Sequence, residues 1–170
     1  MPGSTYEREL KGILGADVSI LKRIVKRCDA KTSRKYLMIG KKPFLVVRAA
    51  GSLGFDLLAV RGDISLPIEV KSSSSKKISF TSNSAREVRQ AELLKEKCER
   101  TKLFPIYAFR LKNIKDDVWK VFTLDIRNVS KDWLWLYNQI PKIGRTKKMN
   151  YVLRWENGMP LSDFIELLCS

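Results

Sequence analysis

Two periodicities divide the apolar residues of this chain. Leu10, Ile13 and Leu14 share one face of a helix, with Ser4 placed to cap it and Glu7 at the reciprocal capping position. Gly15 is the expected stop. Asp17 or Ser19 then caps a second helix, where Val18, Leu21, Ile24, Val25 and Cys28 recur at helical spacing. Residues 31–43 are basic and hold no sustained period. Residues 44–50 read as a strand. A charged helix follows from a cap at Ser82 or Ser84 to about Thr101, burying Val88, Ala91, Leu94 and Cys98. Residues 104–111 and 118–126 read as further strands. The tail carries Trp133, Trp135 and Tyr137, a basic loop over 142–148, a strand over 151–155 and a short helix near 161–168. Helices and strands in this order predict one α/β domain, residues 1–170, with a mixed sheet.

The segment from Gly51 to Lys71 is the most informative. Phe55 and Leu57-Leu58-Ala59-Val60 read as a buried strand. Arg61 leads into Gly62-Asp63, and Ile64 begins the return, so a two-residue hairpin of type II′ is expected. That register pairs Arg61 with Ile64 and sets Asp56 opposite Glu69, with Cβ atoms about 5 Å apart. Lys71 points to the same face, roughly 7 Å along the strand. Pro67 lacks an N–H, and a bulge there would shift the register by one. Facing carboxylates repel. A divalent cation removes that repulsion, and oxygen ligands suit Mg²⁺ or Mn²⁺. An exposed ion-pair cluster is the alternative reading of the same residues, but charges in a buried strand are rare unless paired or metal-bound.

Charge narrows the partners. Lysine and arginine number 33 against 18 acidic residues, a net +15, and a polyanion is the natural counterpart. The cationic face Lys22, Arg23, Lys26 and Arg27 is either solvated surface or a phosphate contact. Residues 72–77, rich in serine and lysine, are expected to form a mobile loop. The chain has no histidine. Histidine-based triads, Cys–His pairs and mixed Cys/His zinc sites are therefore excluded, and base chemistry falls to carboxylate, lysine or metal-bound water. Three cysteines without C-x-x-C spacing read as reduced core residues. With no apolar run of membrane length and no leader pattern, a cytoplasmic, nucleoid-associated protein is expected.

The order of motifs resembles the archaeal Holliday junction resolvases. The matching residues are Tyr6-Glu7-Arg8-Glu9-Leu10, Val46-Val47-Arg48-Ala49-Ala50-Gly51-Ser52, Asp56-Leu57-Leu58-Ala59 and Ile68-Glu69-Val70-Lys71, followed by Pro105-Ile106-Tyr107-Ala108-Phe109. The resemblance covers most of residues 5–125. It implies the restriction-endonuclease-like fold, a mixed sheet flanked by helices. It also implies Glu7, Asp56 and Glu69 as the acidic metal residues for Mg²⁺, with Mn²⁺ able to substitute, and Lys71 as the catalytic lysine. Arg8, Arg48 and Ser52 are implied on the DNA side. Lys76 and Lys77 are added to them because their loop adjoins Lys71. Two departures stand out: residues 15–43 look like a helical insertion, and Phe55 replaces a proline often found before the aspartate. Residues 127–170 are expected as a C-terminal β/α extension.

The implied activity is Mg²⁺-dependent hydrolysis of phosphodiesters in branched double-stranded DNA, at paired symmetric sites, by a homodimer. Three alternatives remain open at this level. One is a nuclease on the same fold acting on linear, flapped or nicked DNA. Another is a non-catalytic DNA-binding protein. The third is a basic protein that binds an acidic partner.

Overall fold

A computed structural model describes residues 2–80 and 85–170; of Pro2, Gly3 and Ser52 it describes only the backbone. The expected cap at Ser82 or Ser84 lies outside the described residues. The chain opens with α1 (Pro2–Leu14). This helix starts two residues before Ser4, with proline in the first turn, where its missing N–H costs no hydrogen bond. Leu10, Ile13 and Leu14 are buried as their spacing requires.

Residues 15–43 hold more helix than their composition suggests. Asp17 caps α2 (Val18–Val25) through the Ile20 N–H, and Asp29 caps α3 (Ala30–Leu37) through the Thr32 N–H. Helix α2 ends before Cys28, and Val18 is 66% exposed; only Leu21 and Ile24 of the expected stripe are fully buried. The second cap was missed because α3 is polar in sequence and anchored chiefly by Tyr36, with Ile39 following in a 3-10 turn. These residues, expected as an insertion, contribute side chains to the common core.

The main sheet has six strands. They are β1 (Leu45–Arg48), β2 (Leu57–Arg61), β3 (Ile64–Ser73), β5 (Ile106–Leu111), β6 (Trp119–Phe122) and β9 (Met159–Pro160), in the order β1-β2-β3-β5-β6-β9. Only the β3–β5 pair is parallel. The crossover between them carries β4 (Lys77–Ser79) and α4 (Ala85–Thr101). Strand β4 joins β7 (Gly144–Arg145) and β8 (Tyr151–Arg154) in a second sheet, order β4-β8-β7. Helices α5 (Leu134–Gln139) and α6 (Leu161–Cys169) complete the chain. The expected mixed α/β architecture is present. Residues 127–170, expected as an extension, supply β9 to the main sheet and α6 to the packing against α3.

Three local readings need correction. Residues 72–77 were expected as a loop, but Ser72 and Ser73 continue β3 by pairing with Arg110 and Leu111, and Lys77 starts β4. Backbone pairing against β5 needs no apolar side chain, so composition could not reveal it. The Gly62-Asp63 turn joins Arg61 to Ile64 as expected, but neither turn residue has positive φ, so it is not type II′. Arg61 grips the Asp63 carboxylate through Nε and Nη2, and Trp133 donates to the Asp63 carbonyl at 2.8 Å. These bonds hold the turn without a mirror-image glycine. Pro67 causes no bulge: it pairs with Leu58, and the β5 ladder starts one residue later, at Ile68. Counted from the turn, Leu58–Pro67 is a non-hydrogen-bonded pair, so no ladder donor is lost.

Strand β5 is buried along its whole length, including Arg110. Arg110 pairs with the buried Glu9 at 3.1 Å, and the Trp119 indole donates to the same Glu9 oxygen at 2.8 Å. This triad ties α1 to the sheet interior. Gly158 makes a close approach to β6. A Cβ there would sit 2.7 Å from the Cβ of Lys120 and 2.7 Å from the Phe122 ring. Gly158→Ala should therefore cost about 1–3 kcal/mol in urea unfolding, as overpacking against a strand that cannot yield.

Candidate active site

Asp56 stands at the entrance to β2, and its position is set by a bulge. Its N–H bonds to the Ile68 carbonyl, although Ile68 is already the partner of Leu57. Two residues on one strand thus face one on the other. The regular register therefore ends at Leu57, and Asp56 is one step out of the expected direct opposition to Glu69. Its carboxylate accepts the Val70 N–H at 2.7 Å. That bond fixes the side chain over β3, next to Glu69.

Glu69 and Lys71 share one face of β3, as alternation demands. Their side chains are 12% and 16% exposed, and the ammonium lies 3.1 Å from the Glu69 carboxylate. Burial pushes the Glu69 carboxyl up to about 7; Lys71 opposes the rise and the adjacent Asp56 adds to it. Burial draws Lys71 down, but Glu69 and Glu87 outweigh it and hold the ammonium above its ordinary value. Lys71 also lies 5.5 Å from the centre of the Phe80 ring.

One cleft of about 460 Å³ gathers the site, lined among others by Glu7, Arg48, Asp56, Glu69, Glu87 and Gln90. Glu7 reaches it from α1 and is held by Arg48 at 2.8 Å. Gly54, at φ 83, ends the 3-10 turn Gly51–Leu53 on the cleft's rim. That left-handed geometry favours glycine.

The remaining site residues from the sequence fall elsewhere. Arg8 is exposed on α1 and is not among the cleft's lining residues. Lys76 lies in the short turn before β4 and pairs with Glu156 at 3.4 Å; Lys77 begins that strand. The side chain of Ser52 lies outside those described.

Glu87 was missed. It approaches Lys71 at 3.5 Å from the first turn of α4 and lines the cleft with Arg86 and Gln90. A signal existed: Glu87 precedes the buried stripe Ala91, Leu94 and Cys98 at its own helical spacing. That position turns the half-exposed Glu87 carboxylate toward Lys71.

The donors bear on whether a divalent ion suits the cleft. No group of three His, Cys, Asp or Glu side chains is spaced to hold a metal among the described residues. Asp56 and Glu69 provide two adjacent carboxylates, and Glu7 is engaged by Arg48. Two carboxylates suit Mg²⁺, which keeps several waters and takes its other oxygens from a phosphate substrate. Burial is the main cause of the raised Glu69 carboxyl and the neighbouring Asp56 adds to it; a bound cation would offset both.

A solved structure shares this arrangement of strands and helices. It is that of Archaeoglobus fulgidus Hjc, a Holliday junction resolvase from an archaeal hyperthermophile. The match has a TM-score of 0.53 at 17% identity and covers 97% of this chain and 96% of that one. The chain has the fold of an archaeal Holliday junction resolvase. No family model matches the chain, and no curated protein matches it in sequence. Among the described residues, no helix is long and apolar enough to cross a membrane.

Proposed function

We propose that the protein is a divalent-metal-dependent endodeoxyribonuclease that resolves four-way DNA junctions by paired, symmetric cuts. One observation carries the reading. Asp56 and Glu69 line a single cleft on a resolvase-like fold, with Lys71 against Glu69 at 3.1 Å and burial raising the Glu69 carboxyl. The net charge of +15 supplies the attraction for the substrate.

Asp56 and Glu69 would hold the Mg²⁺, which when bound supplies charge neutralisation and an activated water. The protein's own groups do the rest. Lys71, fixed between Glu69 and Glu87, places a full positive charge beside the reacting phosphate. Arg48 spends one nitrogen on Glu7 and keeps its other donors, and its side chain is 51% exposed. A phosphate entering the cleft can take those donors in a bidentate grip. Glu7 then acts by holding the guanidinium at the rim. Lys76 and Lys77 extend positive charge along the turn beyond β3 and contact backbone phosphates without reading bases.

Two symmetric cuts require two active sites at fixed spacing, which a C₂ pair of chains supplies. Leu93 on α4, and Leu134 and Trp135 at α5, are among the exposed apolar side chains that such a pair could bury, as are Leu45 and Val47 on the edge strand β1.

The test uses labelled four-way, Y-shaped and linear DNA of matched sequence with Mg²⁺, and maps cuts on a denaturing gel. Paired cuts flanking the four-way branch point, absent in EDTA, are the expected result. Equal cutting of all three substrates would make the protein a general nuclease on this fold. Binding without any cutting would make it a non-catalytic DNA-binding protein.

A further inference from the structure

A second hollow, of about 660 Å³, opens on the other side of the Tyr6–Glu7 turn of α1. Five of its eight lining residues are cations: Lys26 and Arg27 beyond the end of α2, and Arg110, Lys112 and Lys115 from β5 and the loop after it. None of the eight is acidic. Glu9 neutralises Arg110. Lys26, Arg27, Lys112 and Lys115 have no salt bridge among the described residues, so four uncompensated charges converge on one space. That convergence is built. The Asp116 N–H bonds to the Arg27 carbonyl at 3.1 Å and fastens the loop to α2, and the Lys112 N–H bonds to the Ser73 carbonyl at 2.9 Å. The Asn113 and Asp116 backbones are left-handed, at φ 63 and 73, in the same loop. Like charges held together by a fixed backbone repel, and an anion seated among them removes that cost.

We propose that this hollow seats one backbone phosphate of the bound DNA, outside the catalytic cleft. The inference rests on the nuclease reading for the identity of the polymer. Tyr6 is the chain neighbour of Glu7 of the cleft, while Arg110 pairs with Ser72 and so lies on the sheet face opposite Glu69 and Lys71. The hollow is thus a contact apart from the cleft, reached from it around the N-terminal part of α1. A free nucleotide fits less well. Among the described residues Tyr6 is the one aromatic side chain lining the hollow, and Arg110 and Lys112 already lie 4.9 and 5.7 Å from its ring centre, so a base would compete with two cations for it. A strand passing with its bases turned away needs no such face.

The test compares wild type with the triple variant Lys26→Ala, Arg27→Ala, Lys115→Ala in binding to four-way DNA. EDTA is present so that nothing is cut. Tyr6 and Arg110 are untouched, and circular dichroism confirms that both proteins are folded. A single shared phosphate predicts a slope of log K against log salt that is shallower by about one. Three independent surface contacts would give a change of about three, and an unchanged slope would mean no contact; either overturns the proposal. Among junctions carrying one neutral methylphosphonate each, moved linkage by linkage along the arms, one should weaken wild type and leave the variant unaffected. Equal weakening of both proteins at every linkage overturns it. So does adenosine triphosphate binding to wild type but not to the variant with an unchanged DNA slope. If wild type shows the slope difference yet never cuts any DNA, the nuclease reading fails and the phosphate seat stands.

Discussion

Asp56→Asn should reduce cleavage of four-way DNA by about a thousandfold or more while leaving binding near the wild-type level. The size follows from the proposed role: Asp56 is one of two carboxylates that would hold a catalytic cation, and such an ion contributes several kcal/mol to stabilising the transition state, at 1.36 kcal/mol per tenfold. The fold should survive. Asparagine keeps a side-chain oxygen that can accept the Val70 N–H, the bond that aspartate makes at 2.7 Å. Alanine would lose that bond and confuse a catalytic loss with a structural one. Binding depends on the cationic surface, which the substitution leaves intact, and the loss of one negative charge favours DNA slightly. Cleavage is measured in Mg²⁺ and binding in EDTA, on the same labelled junction. Undiminished cutting by the variant would remove Asp56 from the chemistry. A parallel loss of binding would mean that it serves DNA contact or the fold instead.

Much of that site was legible because β-structure converts spacing into geometry. The two-residue turn at Gly62-Asp63 fixed the pairing from Arg61 to Leu57, and alternation put Glu69 and Lys71 on one face. Local rules failed where tertiary contacts took over. The bulge at Asp56 depends on a carbonyl of the opposite strand, so no pattern within residues 51–56 announces it. Helix α3 has few apolar residues and is held by Asp29 and by the burial of Tyr36, whose hydroxyl bonds to Asp117 across 81 positions. Ser72 and Ser73 look like loop residues but are held as strand by β5. Glu87 is a different case. Its role depends on meeting Lys71 from another element, yet its place at the head of an apolar stripe was visible in the sequence.

The Glu69→Gln variant should become more stable relative to wild type as pH rises. Glu69 titrates near 7 in the folded protein because it is buried beside Asp56, against an ordinary value of 4.5. Below about pH 4.5 both folded and unfolded chains keep the proton, and the group adds no pH dependence. Between 4.5 and 7 the unfolded chain releases the proton while the folded chain retains it, so rising pH favours unfolding. Above 7 both are ionised and the loss is complete. The difference of about 2.5 pH units corresponds to about 3 kcal/mol. Glutamine does not titrate, and Lys71 keeps Glu87 as a partner at 3.5 Å. Urea unfolding of the two proteins at pH 4.5 and pH 8, without divalent ions, should show the stability difference shifting by about 3 kcal/mol in favour of the variant. Saturating Mg²⁺ at pH 8 should narrow that gap by stabilising wild type more than the variant, since a ligand bound only by the folded state adds stability. A pH-independent difference would show that Glu69 is not strained by burial. A gap indifferent to Mg²⁺ would show that Glu69 does not hold the cation, and this outcome is read without any reference to DNA cleavage.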